Sequence, residues 1–548
     1  MLNAMTELAL SNRQRFPLVY TLSVAAALAL ASLQIGSLIL GRHGPSALVL
    51  LMVAFAVLAA VTKRTPGIPR GLLEILAINA ALLSGWVATH GVSSELVAGV
   101  VALAILAVVA NWNPGVSVGL LVIAAMNGVP GIDLEPHFLA GYRVSDIAVG
   151  LLAGGLVMRV YARGAPAGLW ARRLSICGAA LGAWWLLTLL RTTFNGVPVL
   201  KGFLFGRDFL YFALLLPLVA AGLRGRRELL GCLGTLFAGA LLFSVGLVAT
   251  SALGASLHGF AGLFVHASMV NEADSEGIKR VYSTMGDSLP LILAFGLGVA
   301  LMPPGKLFAR RLGILLFVVG GIATLYLFTR ALYIGIAVAL VGTMILWRFG
   351  GGSRNAARRG VGALYAVLIL LVVMVNFGAL ARRTPALNAA SVRTGMTITE
   401  FQHQTGNVGY RYTLDQKMLD VLGSNWIGGL GFLHPDSHPV AALPFGSIRN
   451  GDTGIMNSVM TMGVVGTVLL YLAPVAILIA VIRRWQALTE HGEQRSLEWF
   501  FFGMTMWLLV VLVTSISLVT LFSVSGLVMS AAVIGCAARL LDETRPRV

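Results

Sequence analysis

The chain has 548 residues, of which 57% are hydrophobic and 11% charged, and a formal net charge of +17. A soluble protein of this length could not hide that much apolar surface, so the bilayer is its solvent. The basic residues sit in short clusters between apolar runs, which is the pattern of membrane topology rather than of a nucleic-acid surface.

Apolar runs of about 17 to 25 residues predict helices rather than the alternating ten-residue segments of a β-barrel. In chain order the candidate spans are 17–40, 46–62, 71–89, 94–111, 114–128, 144–162, 173–191, 205–223, 227–253, 283–303, 309–328, 329–347, 361–380, 455–483, 497–514 and 517–540. Two of these divisions are weak, so the expected fold is all-α and polytopic with about 14–16 transmembrane helices. The N-terminal stretch Met1 to Arg15 is short and polar and lacks the pattern of a cleavable signal. Cys177, Cys232 and Cys536 lie in or beside apolar runs, without metal or redox spacing, and read as small core residues.

With the N-terminus in the cytoplasm, 25 of the 39 Lys and Arg fall on inner loops and only 8 on short outer loops. That bias puts both termini in the cytoplasm and residues 382–454 outside. The predicted organisation is 1–280, N-terminal helices; 281–381, central helices with an external Arg turn; 382–454, one large outer loop; and 455–548, C-terminal helices. The outer side holds no ATP or nucleotide sugars, and no GxxxxGK[ST] loop is present. Chemistry there would need a donor already carried in the membrane.

Cations on the outer face work against insertion, so each asks for a reason. Arg207 opens a span in Phe205-Gly206-Arg207-Asp208-Phe209, either as an interface anchor paired with Asp208 or as a ligand-binding group. Arg280 precedes the polar helix entry Tyr282 to Pro290, readable as an ordinary loop and cap or as part of a site. Arg330 falls inside the apolar run Leu312 to Trp347, which is too long for one span, so a tight outer turn is expected near it. Arg411 lies one turn before Leu414, Met418, Val421 and Leu422, an amphipathic helix stopped by Gly423 that would rest on the membrane surface or over a cavity. Guanidinium forks bind phosphate oxygens bidentately and keep their proton, and fixed cations stabilise the charge that gathers on a departing diphosphate.

Four segments resemble the bacterial O-antigen ligase and O-antigen polymerase superfamily. Arg280 through Pro290 is similar to its Arg and small-residue helix entry, and Phe328-Thr329-Arg330-Ala331 to its Arg turn between two spans. Residues 411–432 (RYTLDQKMLDVLGSNWIGGLGF) resemble its Arg, amphipathic helix and Gly-x-Gly-x-x-x-Phe run. Residues 452–466 (DTGIMNSVMTMGVVG) resemble its closing motif. The resemblance covers about 280–470. Ligases of the family begin the closing motif with His-Asn, whereas Asp452-Thr453 stands here, so the comparison leans toward a polymerase.

The resemblance implies a GT-C-like integral membrane glycosyltransferase of the bacterial inner membrane, with its active site facing the periplasm. It would polymerise undecaprenyl-diphosphate-linked oligosaccharide repeat units, for O-antigen or exopolysaccharide, by inverting, metal-independent transfer. Arg330 and Arg411 would grip the diphosphate, and Asp452 would accept the acceptor's proton or cap the following helix. Arg280, Arg207, His434, His438 and Arg449 would bind substrate. Partners would be the lipid-linked donor, the glycan acceptor and the bilayer, with a chain-length regulator and a flippase in the same system, and no nucleic acid. No cofactor is implied, and Pro435 and Pro439 interrupt the His434/His438 pair as a helical metal site. The alternatives left open are a ligase acting on lipid A-core, a lipid-linked glycan flippase, and a non-catalytic scaffold.

Overall fold

The structure is a computed structural model that describes residues 113–126, 144–164, 168–253, 270–273, 279–281, 284–301, 307–327, 330–349, 403, 406–432, 454–491, 497–517, 521 and 523–544. The chain divides into two compact units, Met1–Val118 and Gly119–Val548. The described residues of the first are the opening of one helix, where Asn113 Oδ1 accepts from Gly115 N at 3.0 Å. The second holds the rest of the described helices.

The helices are α1 (Pro114–Ala125), α2 (Val144–Arg163), α3 (Leu169–Phe194), α4 (Val199–Gly222), α5 (Arg226–Leu253), α6 (Leu289–Leu301), α7 (Leu307–Leu327), α8 (Arg330–Phe349), α9 (Gly406–Leu422), α10 (Gly454–His491), α11 (Glu498–Ser517) and α12 (Val524–Glu543). A two-stranded antiparallel ribbon, β1 (Val270–Ala273) and β2 (Lys279–Val281), stands where only a loop was expected. Among the described residues, six helices are long and apolar enough to cross a membrane: α3, α4, α5, α10, α11 and α12. The chain is a polytopic α-helical membrane protein. The candidate spans at 17–40, 46–62, 71–89, 94–111 and 361–380 lie outside the described residues.

Helices α3, α4 and α12 pack together, α10 and α6 flank α11, α7 lies on α6, and α8 on α11. The spans differ in how much of them the bundle encloses. Of the apolar window of α12, 89% is buried, against 28% for α3, so α12 is central and α3 peripheral. On α3 the residues Leu186, Leu187, Leu190 and Phe194 stay exposed along one stripe, the surface that lipid covers in a chain of this composition. Cys232 and Cys536 are buried and hydrogen-bonded to each other, Cys177 is half-buried, and all three are free, as their apolar context implied.

One end of the bundle is stapled by carboxylates that finish helix termini. Asp542, near the end of α12, accepts from Trp170 N (2.9 Å) and Ala171 N (3.2 Å) in the first turn of α3. These are orphan amides at the positive pole of a helix, so a carboxylate is the natural partner. Glu543 accepts from Gly225 N at 3.0 Å, and Glu228 joins Arg159 (2.8 Å) to Arg224 N (2.8 Å). The 26 residues of α3 then carry the chain roughly 40 Å to the other end. That second end holds the residues of interest.

Candidate functional site

The amphipathic reading of residues 411–422 sets the geometry. Helix α9 stops where Gly423 adopts φ +49°, and a 3-10 turn (Gly423–Trp426) succeeds it. Its apolar stripe is not left to solvent. Leu414, Met418 and Leu422 are buried against Val197, just past the end of α3, and against Met460 of α10, with Val421, Met456 and Val459 around them. Helix α9 is thus folded onto the first turns of α10.

Helix α10 is not continuous. Gly463 has φ 70° and ψ −177°, which no helix contains. The break takes the carbonyls before it out of the helical ladder, and in an apolar bundle each needs another donor. The chain after α9 supplies two of them: Leu430 N donates to Met460 O at 2.7 Å, and Gly431 N to Thr461 O at 3.0 Å. Trp184 Nε1 of α3 donates to Met462 O at 2.9 Å. Gly466 makes room for that indole, since a Cβ there would lie 2.8 Å from Trp184 Nε1. Below the break, Thr467 Oγ1 donates to Gly463 O at 2.8 Å and pairs with Ser458 Oγ, also at 2.8 Å, bridging the interruption.

The run Gly428-Gly429-Leu430-Gly431-Phe432 therefore lies as extra backbone between α10 and α3. Gly429 (φ +72°) passes so close to Gly463 and Thr461 that no side chain would fit, and Gly431 (φ +96°) lies against Thr192. Phe432 N donates to Thr192 Oγ1 at 2.7 Å, and Asn195 Nδ2 to Leu430 O at 3.2 Å. The Phe432 ring is fully buried over Gly206, stacked on Phe209 at 6.2 Å and tilted against Trp185 at 5.9 Å. Trp185 Nε1 in turn donates to Gly206 O at 2.7 Å.

Arg207 comes directly after Gly206. Its Nη1 stands 3.0 Å from Asp146 Oδ2, and the two side chains are 6% and 5% exposed. Tyr211 OH donates to Asp146 Oδ1 at 2.8 Å, and Asp208 is buried beside them. The sequence offers Asp208, adjacent in the chain, as the partner of Arg207. An ion pair is made with Asp146, which opens α2 and sits 61 positions earlier in sequence. A charge pair this deep in an apolar bundle needs its hydrogen bonds satisfied, and Tyr211 supplies one.

Arg411 is half-buried on the side of α9 that faces the bundle. Asp415, one turn on, also lies at the edge of the docked face. Burial pushes its carboxyl above the usual range, and the neighbouring Arg411 cation offsets part of that rise. Asp415 Oδ1 has no hydrogen-bond partner among the described residues. Between the unfolded value, 3.8, and the higher folded value the docked state holds more protons, so its stability falls as pH rises through that window. Amide exchange of residues 414–422, corrected for intrinsic rate, is expected to show better protection at the acid end of this window than at neutral pH. Asp415→Asn is expected to flatten the dependence.

Arg330 is the first residue of α8, three positions beyond the last residue of α7, as the expected tight turn requires, while its side chain lies outside the described residues. Arg280 is in β2, again with its side chain outside them. Asp452, His434, His438 and Arg449 lie outside the described residues; Asp452 precedes the start of α10 by two positions. The geometry brings α9, with Arg411, onto the helix that Asp452 introduces, and it commits Arg207 to Asp146.

Three features of this end have no counterpart among the sequence expectations. Arg191, near the end of α3, donates to Asn425 Oδ1 at 2.6 Å, tying the loop to the span. Asp287 accepts from Ser523 Oγ and Ser525 Oγ, both at 3.0 Å, joining the entry of α6 to the N-terminus of α12, where Ser523 also caps Gly526 N at 3.0 Å. The break at Gly463 is the third, and the Gly-x-x-Gly spacing of the closing motif is the signal that could have found it. Among the described residues no three of His, Cys, Asp and Glu stand together as a metal site. No family model matches this chain, and no curated protein matches it.

Proposed function

We propose that the chain is a membrane glycosyltransferase that joins oligosaccharide repeat units carried on a lipid diphosphate, acting at the outer face of a bacterial inner membrane. The donor is a glycan on undecaprenyl diphosphate, and the acceptor is a hydroxyl of a second lipid-linked unit. The acceptor oxygen attacks the anomeric carbon in line, the bond to the diphosphate breaks with inversion, and the acceptor's proton passes to a base. Arg411 and Arg330 hold the departing diphosphate, and Asp452 takes the proton.

One observation carries the reading: the outer-loop helix with Arg411 is docked on the opening turns of α10, the helix that Asp452 introduces. Two neighbouring segments, 411–432 and 452–466, each resembling a functional motif, are thereby built into one packed unit. Their resemblance order (Arg-helix-Gly-Leu-Gly-Phe, then polar residue and Gly-x-x-Gly) also has a physical counterpart, because the first glycine run closes on the second. Arg207, paired with Asp146, sits on the helix on which Phe432 rests, so it supports this unit as well as offering a cation to the substrate.

The test is chain growth by purified protein with lipid-linked repeats in detergent, where no second compartment exists and transport alone yields no longer product. Arg411→Ala and Asp452→Ala are each expected to lower growth at least about 100-fold, since loss of one transition-state contact removes on the order of 3 kcal/mol. Normal polymer length with both variants would overturn the site. In cells, loss of the protein is expected to leave single repeat units on the carrier. Full-length polymer stranded on the carrier would instead point to the ligase.

A further inference from the structure

Helix α9 has a second apolar face that the bundle does not use. At about 100° per residue, Leu414, Met418, Val421 and Leu422 cluster on the docked side, while Tyr412 and Leu419 fall together on a flank roughly a third of a turn away. The 3-10 turn continues that flank to Trp426, so Tyr412, Leu419 and Trp426 form one ridge at seven-residue spacing. They are 57%, 46% and 53% exposed, and Ile427 beside them is 51% exposed. The opposite flank is polar, with Thr413, Lys417 and Asp420 exposed.

The ridge continues a surface whose occupant is known from composition. Arg191 of α3 holds Asn425, next to Trp426, and its guanidinium lies against Gly428, next to Ile427. Residue 191 comes directly after Leu190 in the exposed stripe Leu186, Leu187, Leu190 and Phe194 of a span that lipid must cover. The ridge is therefore level with the end of that stripe and continuous with it. Trp and Tyr, with an apolar body and a polar edge, are the residues enriched where hydrocarbon meets headgroups.

We infer that the Tyr412–Leu419–Trp426–Ile427 ridge is a membrane-interface anchor, inserted among the headgroups and upper acyl chains of the bilayer leaflet at this end of the bundle. Helix α9 is then held on three sides: its docked face by α10, its aromatic flank by lipid, its polar flank by water. Arg191 stands at headgroup level, where the guanidinium edges not used by Asn425 meet lipid phosphate. The inference rests on the polytopic fold and not on the glycosyl-transfer reading, so either can fail alone.

The test uses the full chain in phosphatidylethanolamine–phosphatidylglycerol vesicles. Single cysteines replace Trp426, Leu419 or, as the polar-flank control, Asp420, and carry an environment-sensitive fluorophore; unmutated protein treated the same way gives the background of the three native cysteines. All three positions are exposed, so labelling leaves the docked core intact. Lipids with a nitroxide at the headgroup or high on the acyl chain are expected to quench positions 419 and 426 at least about threefold more than position 420. Aqueous iodide is expected to show the reverse order. Equal iodide quenching at all three positions would overturn the proposal. So would protection of 419 and 426 only by added glycan, or only at high protein density, which would mark a sugar-binding face or a contact between copies.

Discussion

Gly463→Ala is expected to abolish the proposed glycan chain growth while leaving the protein inserted in the membrane. The residue sits at φ 70° and ψ −177°, a region essentially reserved for glycine that costs an alanine about 1–3 kcal/mol. The larger effect is steric: a Cβ at this position would meet the carbonyl of Ile427 and the amide of Gly429 head-on, and both are backbone atoms with no rotamer to escape into. The segment 427–431 would have to lift off α10, and the bonds from Leu430 N and Gly431 N to Met460 O and Thr461 O would go with it. Those carbonyls would then be stranded in an apolar bundle, at about 1–3 kcal/mol each. The alternative open to the variant is to restore a straight helix, which re-pairs the carbonyls and also expels the glycine run. Either way Phe432 leaves Gly206 and α9 loses its register on α10. The measurement is growth by purified variant together with protease sensitivity of 406–432. Growth at the level of the unmodified protein with the loop still protected would show that the break is dispensable. Phe432→Ala removes the ring but not the backbone bonds, so it separates the two contributions and is expected to act in the same direction with a smaller loss.

How much of this is legible in the sequence depends on how local the cause is. Helix α9 is readable down to its stop, because apolar spacing and Gly423 are local signals that need no partner. The spans from 144–162 to 329–347 and from 455–483 to 517–540 each have a helix at their position, and those at 173–191, 205–223, 227–253, 455–483, 497–514 and 517–540 have the length and apolarity of a membrane crossing, a signal that needs no partner. The Arg207–Asp146 pair is not readable: the two are 61 positions apart, and only the packing of α2 on α4 brings them together. The same holds for Asp287, whose serines come more than 230 positions later. Gly463 lies between. Glycines in an apolar run signal close helix packing as often as a break, and the break becomes evident only once Leu430 and Gly431 supply donors for the carbonyls it frees.

The Arg207–Asp146 pair yields the largest stability effect expected of any single side chain in this region. Both groups are nearly without solvent, so the pair gains little over a well-packed apolar replacement, yet removal of one partner upsets the charge balance of a buried cluster that also holds Asp208. Arg207→Met is expected to cost about 3–5 kcal/mol, because the buried Asp146 would lose its guanidinium partner close to a second buried carboxylate, Asp208. Asp146→Leu, which leaves Arg207 next to the buried Asp208, is expected to cost less. The double replacement removes the pair, leaves Asp208, and is expected to recover part of the loss. Thermal unfolding of the four proteins in one detergent closes the cycle, and a coupling near zero would mean that the pair is not formed. The functional readout then separates structure from chemistry. If Arg207 acts by holding the helix that seats Phe432, the double variant regains both stability and growth. Recovered stability without growth would return Arg207 to the substrate, as the bare sequence suggests.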